Sequence, residues 1–385
     1  MLLSNLSLLT NDEPVDILLN KEKILSVNEH IKSQERGHAI QFTDAIVFPG
    51  LINSHDHLDF NLFPQLGNKI YNNYVDWGED IHQQNKDIIS NVLRIPEQYR
   101  IQWGIYKNLL NGITTVVNHG PKITDENSPI NIWQNTHSLH SIRLEKKWKY
   151  KLNIPFLKKL PFSIHIGEGT DKAARDEISR LIKWNLLNRK LIGIHGVAMN
   201  EEQASQFEAL VWCPDSNYFL LGRTATIDKL KDKTKILFGT DSTVSSHWSI
   251  WEHLRLARKE KMVSDMELFN MLNTSPANVW NISSCGVLSK DYNADIVIAR
   301  KKPGLKKMDV FFSLNPEDLL LVLHKGAIQL FDEELYPQLK GLNISLQNFY
   351  KINIHGRGKH VYGNLPRLIE SVRSYYPDAG FPITY

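Results

Sequence analysis

Short apolar runs separated by polar breaks dominate the beginning of the chain. These runs lie at 6–9, 16–19, 23–27 and 39–42. The same pattern, which is typical of β-strands, returns after Cys285. There the candidate strands lie at 286–288, 294–299 and 319–330. We therefore predict a composite β-sandwich domain from residues 1–49 and 285–335, followed by a C-terminal tail at 336–385 with one helix at about 364–375.

Between these ends the chain changes to longer apolar strands that alternate with helical stretches. The predicted strands lie at 44–53, 112–118, 162–167, 190–195, 209–213 and 235–240. The predicted helices lie at 96–111, 172–187, 201–208, 226–231, 248–261 and 264–272. Near-continuous apolar strands are typical of parallel strands covered on both faces, and their alternation with helices indicates βα units. The predicted fold class is therefore α/β, with a (β/α)8 TIM-like barrel over residues 50–284.

One stretch, from Asn118 to Phe162, is short for its place in such a barrel. About 45 residues would have to supply two strands and two helices. A βα unit usually takes about 30 residues. The third strand is predicted at 140–144 and the fourth within 149–154, so we expect the barrel to be distorted around these two strands.

The composition is that of an ordinary globular protein, with 385 residues of which 42% are hydrophobic. The net charge of +3 favours neither nucleic acid nor an anionic membrane as a partner. The sequence predicts no membrane-spanning run and no secretory leader. Two cysteines, Cys213 and Cys285, are too few for a disulfide framework and fit a reducing compartment. We expect a cytoplasmic protein that acts on a small molecule, with a homodimer as the commonest closed assembly.

The first pattern that carries chemistry is His55-Asp56-His57, which follows the apolar run at 46–53. Because side chains alternate along a strand, two histidines two residues apart point the same way. Neutral imidazole is a common ligand of zinc and related metals. Paired histidines also occur on ordinary loops, so the pair alone leaves both a metal site and a surface loop open.

Three later strands also end in polar side chains. His165 ends one strand and is followed by Glu168, His195 ends the next, and Asp241 ends the last predicted strand. The C-terminal ends of barrel strands meet on one face, where these side chains would converge. Taken singly, the histidines could be structural residues, Glu168 a solvated carboxylate and Asp241 a helix cap. Their joint occurrence at successive strand ends favours a functional site.

With these motifs the sequence resembles the amidohydrolase superfamily. The resemblance is to the branch that contains cytosine, guanine and adenosylhomocysteine deaminases and the triazine chlorohydrolases. The motifs that carry it lie at 49–57, 112–117, 165–168, 195–196, 213–217, 239–242, 273–277, 286–288 and 294–297. They follow one another in order over about residues 15–300, whereas the chain after about residue 335 has no counterpart in the resemblance.

The resemblance implies one divalent metal held by four side chains. These are His55, His57, His165 and Asp241. Zinc is the expected metal, with iron or manganese as alternatives, because the same donors accept several metals. Two-metal members of the superfamily carry a bridging lysine on the fourth strand. The lysines nearest that position are Lys151, Lys158 and Lys159, and none stands at a clear strand end. We therefore predict a single-metal site.

The resemblance also implies catalytic roles for three side chains. Asp241 accepts a proton from the attacking water, and His195 contacts that water or the atom it attacks. Glu168 protonates the ring nitrogen beside the attacked carbon and then passes a proton to the leaving amine. This arrangement suits deamination of an amino-substituted nitrogen heterocycle with release of ammonia. The alternatives are a hydrolase of the same fold that cleaves a cyclic or acyclic amide or expels another leaving group, and an inactive structural relative.

Candidate substrate contacts lie outside these motifs. Trp77 and Asn73 belong to the aromatic-rich segment 60–95, which follows the first barrel strand and is placed to cover a pocket. Ordinary packing of a surface helix would also explain such residues. His119 ends the second strand, where relatives often carry aspartate, and both a pocket contact and a capping or packing role are open for it.

Overall fold

The structure is a computed structural model that describes five parts of the chain. They are residues 1–10, 13–28, 39–124, 127–305 and 307–385. Part of the predicted N-terminal β segment, at 29–38, lies outside these described residues. Within them, every helix is too short or too polar to cross a membrane.

The described residues form strands and helices in the following order. The strands are β1 (Leu2–Leu8), β2 (Pro14–Asn20), β3 (Lys23–Asn28), β4 (Ala39–Gln41), β5 (Ala45–Pro49), β6 (Leu51–Asp56), β7 (Ile113–Asn118), β8 (Asn131–Trp133), β9 (His137–Ser141), β10 (Phe162–Ile166), β11 (Leu191–His195), β12 (Ala209–Trp212), β13 (Lys235–Phe238), β14 (Ile296–Arg300), β15 (Leu319–His324), β16 (Ala327–Asp332), β17 (Phe349–Ile354) and β18 (Arg357–Tyr362). The helices are α1 (Tyr74–Gln84), α2 (Lys86–Arg94), α3 (Glu97–Leu110), α4 (Trp148–Leu152), α5 (Lys172–Trp184), α6 (Glu201–Ala204), α7 (Pro214–Leu221), α8 (Ile227–Leu230), α9 (Ile250–Lys259), α10 (Asp265–Asn270), α11 (Thr274–Val279), α12 (Met308–Phe312), α13 (Tyr336–Gly341) and α14 (Leu365–Tyr375).

Both ends of the chain contribute to one ten-stranded sheet, ordered β17-β18-β16-β15-β14-β5-β1-β2-β3, with β4 beside β1. The prediction of one continuous strand at 44–53 is wrong. It divides at Gly50 into β5, which pairs with β1 and β14, and β6, which pairs with β7 in another sheet. A Cβ atom on Gly50 would lie 2.2 Å from Oγ1 of Thr114, so this close approach requires glycine.

The C-terminal segment differs from the predicted tail with one helix. The helix is present as α14, but the segment also contains α13 and the hairpin β17–β18, which extends the sheet through β16. A buried lysine fixes that junction, since Lys359 Nζ donates to Asp332 Oδ2 at 2.6 Å and to the Leu319 carbonyl at 2.6 Å. The strand predicted at 286–288 is absent from the described structure, because Gly286 turns the chain there with φ +78°.

Eight parallel strands, β6 to β13, lie in two further sheets. Their orders are β6-β7-β8 and β13-β12-β11-β10-β9. The end of β13 meets the end of β6, because the amides of Thr240 and Asp241 both donate to the carbonyl of His55, at 3.2 and 3.1 Å. Among the described residues no ladder of backbone hydrogen bonds joins β8 to β9. The fold is therefore α/β with parallel sheets, as predicted.

The short stretch before His165 is arranged differently from the prediction. The strand predicted at 140–144 as the third of the barrel is found at His137–Ser141, as β9. Because β9 pairs directly with β10, the strand of His165, it is the fourth strand in the order. The third place belongs to β8, and only three residues separate it from β9. The fourth strand predicted within 149–154 is instead α4, which buries Trp148 and Leu152 at helical i, i+4 spacing.

Candidate metal centre

The C-terminal ends of four parallel strands bring five predicted side chains together. His55 is the second-last residue of strand β6, and His57 directly follows that strand. His165 lies in β10, and His195 ends β11. Asp241 follows β13, and all of these residues except the partly buried His57 are buried. Burial lowers the pKa of His57 to about 3 and that of His165 well below its usual range. The lowered pKa values favour the neutral form of these two imidazoles, which is the form that binds metals.

The predicted ligand atoms have the spacing of one coordination shell. His165 Nε2 lies 3.2 Å from His57 Nε2 and 3.3 Å from His55 Nε2. Asp241 Oδ1 lies 3.6 Å from His55 Nε2 and 3.9 Å from His57 Nε2. Zinc–nitrogen bonds of about 2.0–2.1 Å in a tetrahedron place neighbouring donors about 3.3 Å apart. Distances of this size suit a divalent cation. Two overlapping groups could hold one, namely His55 with His165 and His195, and His55 with His57 and Asp241.

Hydrogen bonds on the far side of two histidines fix their tautomers. His165 Nδ1 lies 2.8 Å from the carbonyl of His140, and a carbonyl can only accept, so Nδ1 carries the proton and Nε2 presents its lone pair. His195 Nδ1 lies 2.9 Å from Oδ1 of Asn217, whose amide group donates to Thr224. His195 therefore also points an unprotonated Nε2 into the cluster.

Two serines and a backbone amide hold the carboxylate of Asp241. Ser216 and Ser245 donate to Oδ2 at 2.8 and 2.9 Å, and the amide of Ser242 donates to Oδ1 at 2.8 Å. Burial alone would raise the pKa of Asp241, but its hydrogen bond with His55 and the other histidines nearby hold that pKa well below the usual range. Asp241 and His195 both have positive φ, 57° and 71°, a conformation that side chains seldom adopt and that concentrates at functional sites.

Glu168 stands beside this cluster as a buried carboxyl group. Its Oε2 lies 3.6 Å from His195 Nε2. Burial and then the charge of Asp241 raise the pKa of Glu168 well above its usual range, whereas burial lowers the pKa of His195 to about 4. The raised pKa of Glu168 favours its carboxylic acid form, which can give a proton to a bound molecule.

A buried ion pair that the sequence analysis missed lies beneath the ligands. Asp56, between the two ligand histidines, accepts from Lys107 Nζ at 3.0 Å and from Asn108 Nδ2 at 2.7 Å. Lys107 also donates to the carbonyl of Asp241 at 3.3 Å. Lys107 and Asp56 are 1% and 0% exposed, so helix α3 ties the β6 ligands to the β13 ligand from below.

A cavity of about 330 Å³ opens over the cluster. Its described lining includes the metal-side residues His57, His165, Glu168, His195 and Asp241. The rest of the wall is mainly apolar and comes from the segment after β6, helices α1 and α2, and the loop after β9. The predicted site residues therefore form one end of a pocket of the size that binds small molecules.

The three candidate substrate contacts have different surroundings. Trp77 lines the cavity, and its Nε1 donates to the carbonyl of Leu66 at 2.6 Å. Asn73 lies outside the cavity lining, because its side chain caps α1 by accepting from two amides of the first turn. His119 packs behind the ligands, with its ring 4.5 Å from that of His165, and it contacts Ser138 instead of the cavity.

Some side chains of the site had no role assigned from the sequence. Ser216 and Asn217 belong to the motif at 213–217 that contributed to the resemblance, so a signal for them was present. His140 lines the cavity and supplies the carbonyl that orients His165. Its position was obscured because the strand containing it was placed one step too early in the strand order.

The sequence model of the Amidohydrolase family matches residues 158–328. That span includes His165, Glu168, His195 and Asp241. The resemblance to the amidohydrolase family is confirmed. A 5-methylthioadenosine/S-adenosylhomocysteine deaminase from Pyrococcus furiosus is 25% identical over 377 residues, which cover 81% of this chain and 87% of the relative.

Solved structures support the amidohydrolase resemblance at the level of the fold. A triazine hydrolase variant superposes with a TM-score of 0.73 at 17% identity and covers 97% of this chain and 98% of its own. An adenosine deaminase from Xanthomonas campestris with bound zinc gives a TM-score of 0.69 at 12% identity and covers 98% of this chain and 97% of its own.

Proposed function

We propose that this chain is a metal-dependent hydrolase that deaminates an amino-substituted nitrogen heterocycle and releases ammonia. The observation that carries the proposal is the buried Glu168, whose Oε2 lies 3.6 Å from His195 Nε2 in a small-molecule cavity beside the proposed metal ligands. The relatives named as deaminases and the resemblance to the amidohydrolase family support this type of reaction on a carbon–nitrogen bond.

The proposed metal ligands are His55, His57, His165 and Asp241, whose donor spacing supports one ion. Zinc is the proposed metal, since imidazole and carboxylate donors suit it and a structural relative contains it. When bound, such a metal lowers the pKa of water so that hydroxide is available near neutral pH. The hydrogen bonds to His165 and Asp241 hold both ligands in place before the metal enters.

The protein's own groups supply the proposed proton transfers. Asp241 takes the proton of the attacking water on its carboxylate, and Glu168 gives its proton to the ring nitrogen beside the attacked carbon. The carbon–nitrogen bond then breaks as the hydroxyl on the attacked carbon loses its proton through the Glu168 carboxylate to the leaving amine. The proton held by Asp241 returns to Glu168. His195, held by Asn217, is proposed to contact the attacking water through Nε2.

We further propose that strands β6 to β13 form a TIM-like barrel distorted at the third and fourth strands. The backbone contacts between β13 and β6 support closure on one side, and the short β8 together with the three-residue link to β9 supports the distortion. The ten-stranded sheet would be the main part of the composite β-sandwich domain. Residues 336–385, which were predicted as a tail with one helix, contain a hairpin and two helices.

A cytoplasmic location and a homodimeric assembly remain proposals. Both cysteines are free and buried, which supports a reducing compartment. The near-balanced charge supports a small molecule, and neither nucleic acid nor a membrane, as the partner.

Ammonia release tests the proposed reaction. We expect the zinc-loaded protein to release ammonia from at least one member of a panel of aminopurines, aminopyrimidines, aminopterins and aminotriazines. The same panel is run with Glu168→Gln, which should release ammonia about 100- to 10,000-fold more slowly. If a lactam or linear amide is opened while no aminoheterocycle yields ammonia, the deaminase proposal is wrong and the amide-hydrolase alternative replaces it.

A further inference from the structure

The cavity beyond the metal centre has an apolar wall. Helices α1 and α2, the segment after β6 and the loops after β9 and β13 contribute it. Its main side chains are Phe60, Phe63, Ile81, Leu93, Leu144 and Val244. Apolar groups are worth about 25 cal/mol per Å² when they leave water, so this wall favours an apolar part of a substrate.

The charges of the cavity are confined to its metal end. None of the described lining residues is a lysine or an arginine, and the two lining carboxylic acids are Glu168 and Asp241. Ribose diols, phosphates and amino-acid tails need charged or multiply hydrogen-bonding partners when they are buried, and a group left unpaired costs about 1–3 kcal/mol. The outer wall provides no charged partner for such groups.

The cavity lining also contains neutral polar groups, which include the buried hydroxyl of Tyr74 and the exposed His82 of helix α1. Ser242 Oγ is buried in the lining next to Asp241 and has no hydrogen-bond partner among the described residues. His140 lines the same end, with its ring 5.2 Å from that of His165. A hydroxyl and an imidazole suit the nitrogen edge of an uncharged ring.

Two leucines stand at the rim of the cavity, together with the exposed His82. Leu93 and Leu144 line the cavity yet are 51% and 54% exposed. The volume of about 330 Å³ is near the lower end for small-molecule pockets, which leaves room for one ring system and a short substituent.

Building on the proposed function, we propose that the substrate is an uncharged aminoheterocycle that carries a short apolar substituent. The ring lies at the metal end, and an alkyl, alkylthio or aryl group lies against the apolar wall. A sugar, a phosphate or a charged tail is disfavoured at that position.

A matched substrate series tests this specificity. The series contains three parent rings, an aminopurine, an aminopyrimidine and an aminotriazine. Each ring is prepared with one substituent at a fixed ring atom, which is methyl, ethyl, propyl, butyl, 2,3-dihydroxypropyl or 2-carboxyethyl. For at least one ring we expect kcat/KM of the zinc-loaded full chain to rise about fourfold per methylene up to butyl. The dihydroxypropyl compound should fall at least about tenfold below propyl, and the carboxyethyl compound about 100-fold below it. Equal or higher kcat/KM for the hydroxylated or charged compounds would overturn the inference.

Calorimetric binding of the same compounds separates this inference from the proposed reaction. If the alkyl compounds bind in the expected order but release no ammonia, the proposed function fails and the specificity stands. If ammonia is released and binding shows no alkyl preference, the specificity fails and the proposed function stands. 5-Methylthioadenosine and S-adenosylhomocysteine are included in the series. The charged S-adenosylhomocysteine should bind at least about tenfold more weakly than 5-methylthioadenosine.

A charge placed in the wall gives the reverse test. Leu144→Arg should raise binding of the carboxyethyl compound about tenfold relative to the butyl compound. Leu187→Arg is the matched control, because Leu187 is also exposed, at 44%, but lies outside the cavity lining. An unchanged carboxyethyl-to-butyl ratio in Leu144→Arg would contradict the proposed position of the substituent.

Discussion

The two ends of the cavity are held in different ways. At the metal end, His165, His195 and Asp241 each have a hydrogen-bond partner from another part of the chain. At the outer end, side chains such as Phe63 and Ile81 are held by apolar packing, which has no fixed direction. The difference teaches that directional hydrogen bonds hold the proposed reacting groups, whereas the outer wall is held by packing alone.

The largest expected effect comes from removing a ligand at the metal end. His165→Ala should lower the bound metal to well under one equivalent and reduce deaminase turnover at least about 1,000-fold, because the reaction depends on activated water. Metal analysis and ammonia release measure both changes. The control is His137→Ala, a histidine of the same region that contacts the carbonyl of Lys158. Full metal content and activity in His165→Ala would show that the cluster is not the metal site.

Glu168→Gln should separate metal binding from proton transfer. The variant keeps the size of the side chain but cannot deliver its proton, so kcat should fall about 100- to 10,000-fold while the metal content stays unchanged. Wild-type turnover in this variant would remove the proton-transfer role of Glu168. Loss of metal together with turnover would instead give Glu168 a place in holding the ligands.

Lys107→Met tests whether the ion pair beneath the ligands supports them. It leaves the charge of Asp56 buried without its cation, which should lower the free energy of unfolding by about 3–5 kcal/mol. Metal affinity should fall about 10- to 100-fold, since ligand-supporting groups usually have effects of this size. Denaturant unfolding and competition with a chelator give the two values.

Lys231→Met is the matched control for the ion pair. Lys231 pairs with Glu267 at 2.8 Å, where both side chains are partly exposed, so its removal should cost under about 1 kcal/mol. The double variant Lys107→Met/Asp56→Asn should recover part of the lost stability, because the unpaired charge is gone. Equal effects of the two lysine variants would mean that Lys107 has no special role.

The smallest expected effect concerns a carboxyl group behind the metal end. Burial raises the pKa of Glu177 to about 7, although its Oε1 accepts from the amide of Gly167 at 2.6 Å. Between pH 4.5, near the ordinary pKa of the group, and about pH 7, Glu177 therefore holds more protons in the folded protein than in the unfolded chain. The contribution of Glu177 to stability should fall as pH rises through this window, by up to about 3 kcal/mol, and stay constant above it.

Urea unfolding at pH 5 and pH 8 measures this dependence. Glu177→Gln keeps the acceptor for Gly167 but cannot ionise, so its stability relative to wild type should be higher at pH 8 than at pH 5. A difference between the two proteins that does not change with pH would contradict the raised pKa of Glu177.

The metal end could be predicted from the sequence because its residues have fixed places relative to strand ends. His55, His165, His195 and Asp241 each follow or end an apolar run, and parallel strands bring such ends together. Their partners were harder to find. Lys107 lies within a predicted helix, where a lysine is ordinarily solvated, and only the tertiary structure brings it to Asp56.

The outer end and the region before it could not be predicted to the same degree. Strand β8 has three residues, too few to show a period, and β9 alternates exposed and buried positions beside polar residues. The pocket wall combines residues from several distant segments, and an apolar residue there gives the same sequence signal as one in the core. Asn73 is an example. It was predicted as a substrate contact, but its side chain caps helix α1 instead.

A titration of the metal-free protein with zinc tests the central claim most directly. Ammonia release from an accepted aminoheterocycle is followed as zinc is added in known ratio to the protein. The account predicts a rate that rises linearly and stops at one equivalent, because the ligand set of His55, His57, His165 and Asp241 holds one ion. A rate that continues to rise to two equivalents, or that does not respond to the metal, would contradict it.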